Sequence, residues 1–242
     1  MDNSEKIILN KFLKIANLEV KKFADFFKVP PPFFKLKLAR NRDEFNRLAK
    51  IETSEPWLAG MFLAGKPAKI ILLHPVAVEK EGIHFKEDLE KILKHEVAHL
   101  VFNEVYPLSQ PAWLKEGVSV YLAGQTKRAN FNLKFFSENG TFPLSLTTEE
   151  EWKRARKFGA YGISGKFIKF LVKRDEGEKL RFFIQKLPKE NYNKEQFLQI
   201  FKEVFKTPLV LIAQDFLKNL RKEVRKNECR TKARNPSGIR LC

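Results

Sequence analysis

Two histidines four residues apart, His95 and His99, stand in the stretch HEVAH with Glu96 beside the first, and Glu116 follows seventeen positions after the second. Imidazoles and carboxylates are the donors a divalent ion takes, and a carboxylate next to an activated water is a base. On a helix a four-residue step turns one side chain about 40° from the other, so both imidazoles leave one face a turn apart. Two ring nitrogens can then reach one ion at about 2.0–2.1 Å. Glu96 leaves the edge of that face. It stands too close to His95 along the backbone to be a comfortable ligand, but well placed to hold a water. His-Glu-x-x-His on a helix combines these roles.

A catalytic site of this kind takes a third protein ligand and keeps one position open. Glu116, inside WLKEG, is the expected third ligand. Counted at about 1.5 Å per residue, the run past His99 and the return after Pro107 nearly cancel. Its neighbours Trp113, Leu114, Val118 and Tyr121 predict a mostly buried helix, where an unpaired carboxylate is costly. Asp88 and Glu104 are the rivals and point less well at the ion. His74 ends a strand and reads as structural, and His84 has no evident partner.

Periodicity outlines the elements that must position these residues. Leu89, Leu93, Val97, Leu100 and Val101 give one apolar face to a helix from about Lys86 to Glu104. Pro107 and Pro111 break the chain, and a second helix is predicted over about Pro111–Leu122. Upstream, FKLKLA alternates as a strand does, NRDEFNRLAK predicts a short helix, and WLAGMFLAGKPAKIILLHP predicts two strands joined near GKP. The second of these, Lys69–Leu73, reads either as an edge that an extended substrate can pair with or as an ordinary sheet strand. Residues 5–28 predict an amphipathic helix with Leu9, Phe12, Leu13, Ala16, Val20, Phe23, Ala24 and Phe27 on one side. That stripe reads as a core face; its opposite lysines leave an anionic membrane surface as the alternative. VPPPFF ends the helix. Residues 124–145 predict an irregular loop, the chain from Thr147 reads helical, and 226–242 form a basic stretch expected to be disordered.

Composition excludes several classes. At 242 residues and 43% hydrophobic, with 23 Phe, the chain can bury a sizeable core and is not disordered as a whole. The net charge of +17 invites a polyanion, but the lysines are scattered, as on a solvated surface. Cys229 and Cys242 alone make neither a disulfide framework nor a cysteine zinc knot. No signal-peptide core is visible, and IILLHPVAV is too short to span a bilayer, so a soluble, cytoplasmic protein is expected.

HEVAH followed by PAWLKEGVSVYLAG resembles the gluzincin metallopeptidases, and more narrowly the peptidase-MA-like group of thermolysin-like zincins. The likeness is sharp over 95–121 and pattern-level elsewhere in 65–220. It implies an α+β zincin fold: a small mixed sheet over the active-site helix, then a mostly helical C-terminal lobe. The implied organisation is an N-terminal helix (1–28), a peptidase domain (29–225, with sheet and active-site helix to about 125) and a basic tail (226–242). It also implies one zinc ion on His95, His99 and Glu116, Glu96 as the base, and Tyr161 in GAYGISG as an oxyanion donor; a core tyrosine is the other reading of Tyr161. Two departures stand out. Sixteen residues separate His99 from Glu116, and no acid stands three or four positions after Glu116 to orient an imidazole. The expected activity is hydrolysis of a peptide or protein substrate. The alternative is a catalytically silent binding protein whose basic surface contacts nucleic acid or an anionic membrane.

Overall fold

A computed structural model of the chain describes residues 3–82, 84–128, 131–138, 142–144, 146–175 and 177–234. In chain order these form α1 (Asn3–Phe27), β1 (Phe34–Ala39), α2 (Arg42–Ala49), β2 (Gly60–Leu63), β3 (Ala68–Leu73), α3 (Pro75–Glu81), α4 (Leu89–Val105) and α5 (Ala112–Leu122). After a 3-10 turn over Gln125–Arg128 come α6 (Leu133–Glu138), α7 (Glu149–Arg156), α8 (Ala160–Asp175), α9 (Glu178–Lys186), α10 (Lys194–Phe205) and α11 (Leu209–Arg234). The architecture is mixed α/β. Among the described residues every strand lies before His74, and the chain beyond it is helical or irregular.

The sheet is small and mixed, in the order β1-β3-β2. β3 pairs parallel with β1 and antiparallel with β2. Ile70, Ile71, Leu72 and Leu73 are all fully buried, which is why this strand is a continuous apolar run rather than an alternating one. The reading of Lys69–Leu73 as a free edge is therefore corrected. A strand buried on both faces belongs at the centre, and the edge flanking His95, His99 and Glu116 belongs to β2.

β2 and β3 pack on α4, whose Leu89, Leu93, Val97, Leu100 and Val101 are fully buried. α1 covers α4 as well. Phe12, Ala16, Val20, Phe23, Ala24 and Phe27 are all buried, and the Phe27 ring meets Phe102 edge-on at 6.0 Å. The apolar stripe of α1 is thus a core face, and it belongs to one hydrophobic cluster with the sheet and the later helices. An ion pair adds to this seam: Lys94 Nζ lies 3.3 Å from Glu19 Oε1, next in sequence to His95.

α5 is held between α4 and α8. Trp113, fully buried in its first turn, packs against Phe167 and Phe197 with ring centroids 5.5 and 6.1 Å away. Close approach to α8 depends on two glycines. A Cβ at Gly117 would stand 2.8 Å from the Ser164 carbonyl oxygen, and one at Gly165 would stand 2.2 Å from Val120 Cγ1. Both distances are below van der Waals contact, so the small residues of WLKEGVSV and GISGKF set the α5–α8 spacing.

Three local features differ from expectation. α3 was not foreseen. It has Pro75 in its first turn, Gly82 in a left-handed conformation at its end, and His74 as its cap, where Nδ1 accepts the Val76 N–H at 3.3 Å. His74 is thus a capping residue, in keeping with its structural reading. α6 forms within the stretch expected to be irregular. α11 continues to Arg234, well into the stretch expected to be disordered; once started on buried Leu209, Ile212, Ala213 and Phe216, it runs on through good helix formers. Residues 235–242 of that expected tail lie outside the described residues. Among the described residues no helix is long and apolar enough to cross a membrane.

Candidate metal centre

α4 delivers His95 and His99 from successive turns, and their rings meet edge to face with centroids 4.7 Å apart. α5 delivers Glu116. The three donor atoms form a tight triangle. His99 Nε2 lies 3.0 Å from His95 Nε2, and Glu116 Oε2 lies 3.4 Å from His95 Nε2 and 3.3 Å from His99 Nε2. Donors held about 2.0–2.1 Å from one ion at tetrahedral angles stand roughly 3.3 Å apart, so the triangle has the size a single ion needs. This His/His/Glu group is the one cluster of three potential ligands found among the described residues. Asp88 pairs with Lys91 at 3.1 Å, and Glu104 is exposed; neither joins it.

The electrostatics of the triangle call for positive charge at its centre. Burial would lift the Glu116 carboxyl, but the charge of His99 and hydrogen bonding to both imidazoles hold it far below the usual carboxylate range. Burial would lower His95, but hydrogen bonding to Glu116 and the charges of Glu96 and Glu116 hold it above its ordinary value. A divalent cation satisfies the same preference with its own charge.

Each imidazole is also fixed in orientation. The Ser119 hydroxyl donates to the Lys115 carbonyl at 3.1 Å, so its oxygen accepts the Nδ1–H of His99 at 3.0 Å. Gln125 donates its amide N–H to the Lys91 carbonyl at 3.3 Å, so its Oε1 accepts the Nδ1–H of His95 at 3.1 Å. Both contacts use Nδ1, so Nε2 is the nitrogen aimed at the centre and the one whose lone pair an ion would take in place of the proton shared with Glu116. Sequence reasoning sought an acid in this role and missed both residues. Ser119 carried a usable signal, since it stands three residues after Glu116 on the same helix. Gln125 carried none, because it lies beyond the helix end where periodicity gives no face.

Glu96 is buried, and its Oε2 accepts the Phe62 N–H of β2 at 2.7 Å. Gly60 makes room for it: a Cβ there would stand 2.5 Å from Ile92 Cγ2 and 3.1 Å from Glu96 Cγ. Tyr161 comes from α8, with its ring 6.4 Å from that of His95 and 5.0 Å from that of Trp152. Burial, with the Glu116 charge nearby, raises its hydroxyl well above the ordinary phenol range and keeps it protonated. His84 gains a partner the sequence did not disclose, its Nε2 lying 2.6 Å from the Trp57 carbonyl.

One cleft of about 770 Å³ brings together His95, Glu96, His99, Glu116, Gln125 and Tyr161. β2 supplies one side of it. Arg42 holds the approach to that side by donating to Ser54 Oγ (3.2 Å) and the Pro56 carbonyl (2.9 Å), to the Leu58 carbonyl and to the Glu81 carboxylate. The donor set, its oriented imidazoles and the adjacent carboxylate suit an ion bound for hydrolysis. Comparison of the chain with protein-family models, curated proteins and solved structures returns no match.

Proposed function

We propose that this chain is a zinc-dependent peptidase of the gluzincin type, with a zincin-like fold, in which His95, His99 and Glu116 hold one ion and Glu96 is the general base. The observation that carries this reading is the position of Glu96. It borders a His/His/Glu donor set of the right size, within the same cleft, and a purely structural metal site has no use for it. Two imidazoles and one carboxylate favour zinc among the common ions.

When bound, zinc supplies a Lewis acid and a water acidified to near neutrality. Glu96 anchors one oxygen on the Phe62 N–H, and its other oxygen takes the proton of the attacking water and passes it to the leaving amine. Tyr161, kept protonated, donates a hydrogen bond to the oxygen that gains charge. The scissile peptide lies along β2. Leu73 N–H donates to the Ala59 carbonyl, and antiparallel alternation then turns the backbone groups of Gly60 and Phe62 away from β3. Apart from the Phe62 N–H, these remain for an extended peptide to pair with.

The test is Glu96→Gln in zinc-loaded protein, assayed against a broad peptide library. Zinc should stay bound while hydrolysis falls by about 10²–10⁴-fold. A wild-type protein that holds zinc and cleaves nothing would refute the reading in favour of the silent binding protein.

A further inference from the structure

One side of the cleft is cationic. Lys153, Arg156 and Lys157 leave α7 and its C-terminal cap at i, i+3 and i+4, and Lys115 precedes Glu116 on α5; all four line the cleft. The same lining contains two carboxylates, Glu96 and Glu116, and both are engaged, one by the Phe62 N–H and the other by the imidazoles. Among the described residues, the one ion pair these four cations make is Lys153 with Glu149, at 3.8 Å on the exposed side of α7.

A run of cations on a helix is usually a solvated face. Arg156 departs from that pattern. It is half-buried, and its guanidinium carbon lies 5.5 Å from the centroid of the Trp57 ring. Trp57 belongs to the segment pinned by Arg42 and meets Tyr161 at 6.4 Å. The guanidinium thus rests against an aromatic ring that also lines the cleft, and among the described residues its planar fork makes no hydrogen bond or ion pair, leaving two N–H groups for a carboxylate.

We propose that this wall selects substrates by acidic side chains, with Arg156 as the principal carboxylate receptor and Lys115, Lys153 and Lys157 as the surrounding field. The inference rests on the peptidase reading of the same site and names its substrate class: peptides carrying Asp or Glu within a few residues of the cleaved bond. A peptide suits the cleft better than a nucleic acid because the outward backbone groups of β2 pair with an extended chain.

Binding separates this inference from the reading beneath it. Zinc-loaded Glu96→Gln protein is titrated, by fluorescence polarisation at low salt, with a labelled peptide capped at both ends and bearing two Glu residues, and with its Gln isostere. The acidic peptide should bind at least tenfold tighter, with the ratio shrinking as salt screens the field. Adding Arg156→Gln should cut the ratio at least threefold. Lys153→Gln with Lys157→Gln, both exposed, should cut it too, which covers the case of a misfolded Arg156 variant. Equal affinity for the two peptides overturns the inference. So does a preference seen only when the C-terminus is left free, or a single-stranded oligonucleotide that displaces the acidic peptide at equal concentration. Acidic preference in a protein whose wild type cleaves nothing supports the wall and refutes the peptidase. Cleavage without preference does the reverse.

Discussion

The buried Ser119 hydroxyl lies 3.0 Å from His99 Nδ1 while donating to the Lys115 carbonyl, so one side chain decides which nitrogen of His99 is free. Gln125 does the same for His95. Ser119→Ala and Gln125→Leu should each weaken zinc binding by about 10–100-fold. Gln125→Glu, which keeps an acceptor, should weaken it less. Competition against a chromophoric chelator measures the affinities. Unchanged affinity in Ser119→Ala would mean the hydroxyl does not set the ring.

Glu116 should couple metal to stability. An ion that binds only the folded chain adds about 2.7 kcal/mol at a hundred times its dissociation constant. Chelation should therefore lower the Tm of the wild type, and Glu116→Ala should lose most of that response along with its metal content. Melting with and without chelator, beside elemental analysis, reads both. A wild-type Tm indifferent to chelator counts against the donor triangle.

The α5–α8 contact makes a paired prediction. Gly165→Ala forces a Cβ to 2.2 Å from Val120 Cγ1 and should cost about 1–3 kcal/mol in urea unfolding. Val120→Ala added to it should recover part of that loss, because the clash is with a side chain. Gly117→Ala should not be rescued in this way, since its Cβ meets the backbone oxygen of Ser164 at 2.8 Å as well as Ile168 Cγ1 at 2.9 Å, and trimming a side chain leaves the backbone clash in place. A Gly165→Ala variant as stable as the wild type would show that the helices can spread.

α7, which carries Lys153 and Arg156, starts on a capping box. Thr148 Oγ1 accepts the Glu151 N–H at 3.2 Å, and Glu151 Oε2 accepts the Thr148 N–H at 3.0 Å. Thr148→Ala should cost about 1 kcal/mol. Burial would raise the Glu151 carboxyl, but hydrogen bonds from the backbone and hydroxyls of Thr147 and Thr148 hold it below the usual range. A carboxyl depressed in the folded state stabilises at pH above its unfolded value and loses that contribution as pH falls through its folded value. The stability gap between wild type and Glu151→Gln should thus be widest near neutral pH and narrow below about pH 4. Urea titrations across that range test it; a gap that widens in acid has the wrong sign.

Much of this molecule was written in local pattern. The step from His95 to His99 gives one helix face whatever surrounds it, and a run of five buried positions placed α4 against a core. The alternation of β1, the paired strands around GKP and the Phe stripe of α1 were legible for the same reason: residues a few positions apart report the geometry of their own element. The sequence also singled out Glu116, because a carboxylate amid Trp113, Leu114 and Val118 needs a partner.

What tertiary structure alone decided is which distant groups meet. β3 could be read as an edge until β1 and β2 closed on both its sides. Gln125 reaches His95 across thirty residues, and the Phe62 N–H reaches Glu96 across thirty-four. Trp57 meets the Arg156 guanidinium across ninety-nine residues, and both line the cleft. Periodicity is a property of one element and says nothing of the distance between two. That distance is set by how cores pack, down to the missing Cβ atoms of Gly60, Gly117 and Gly165.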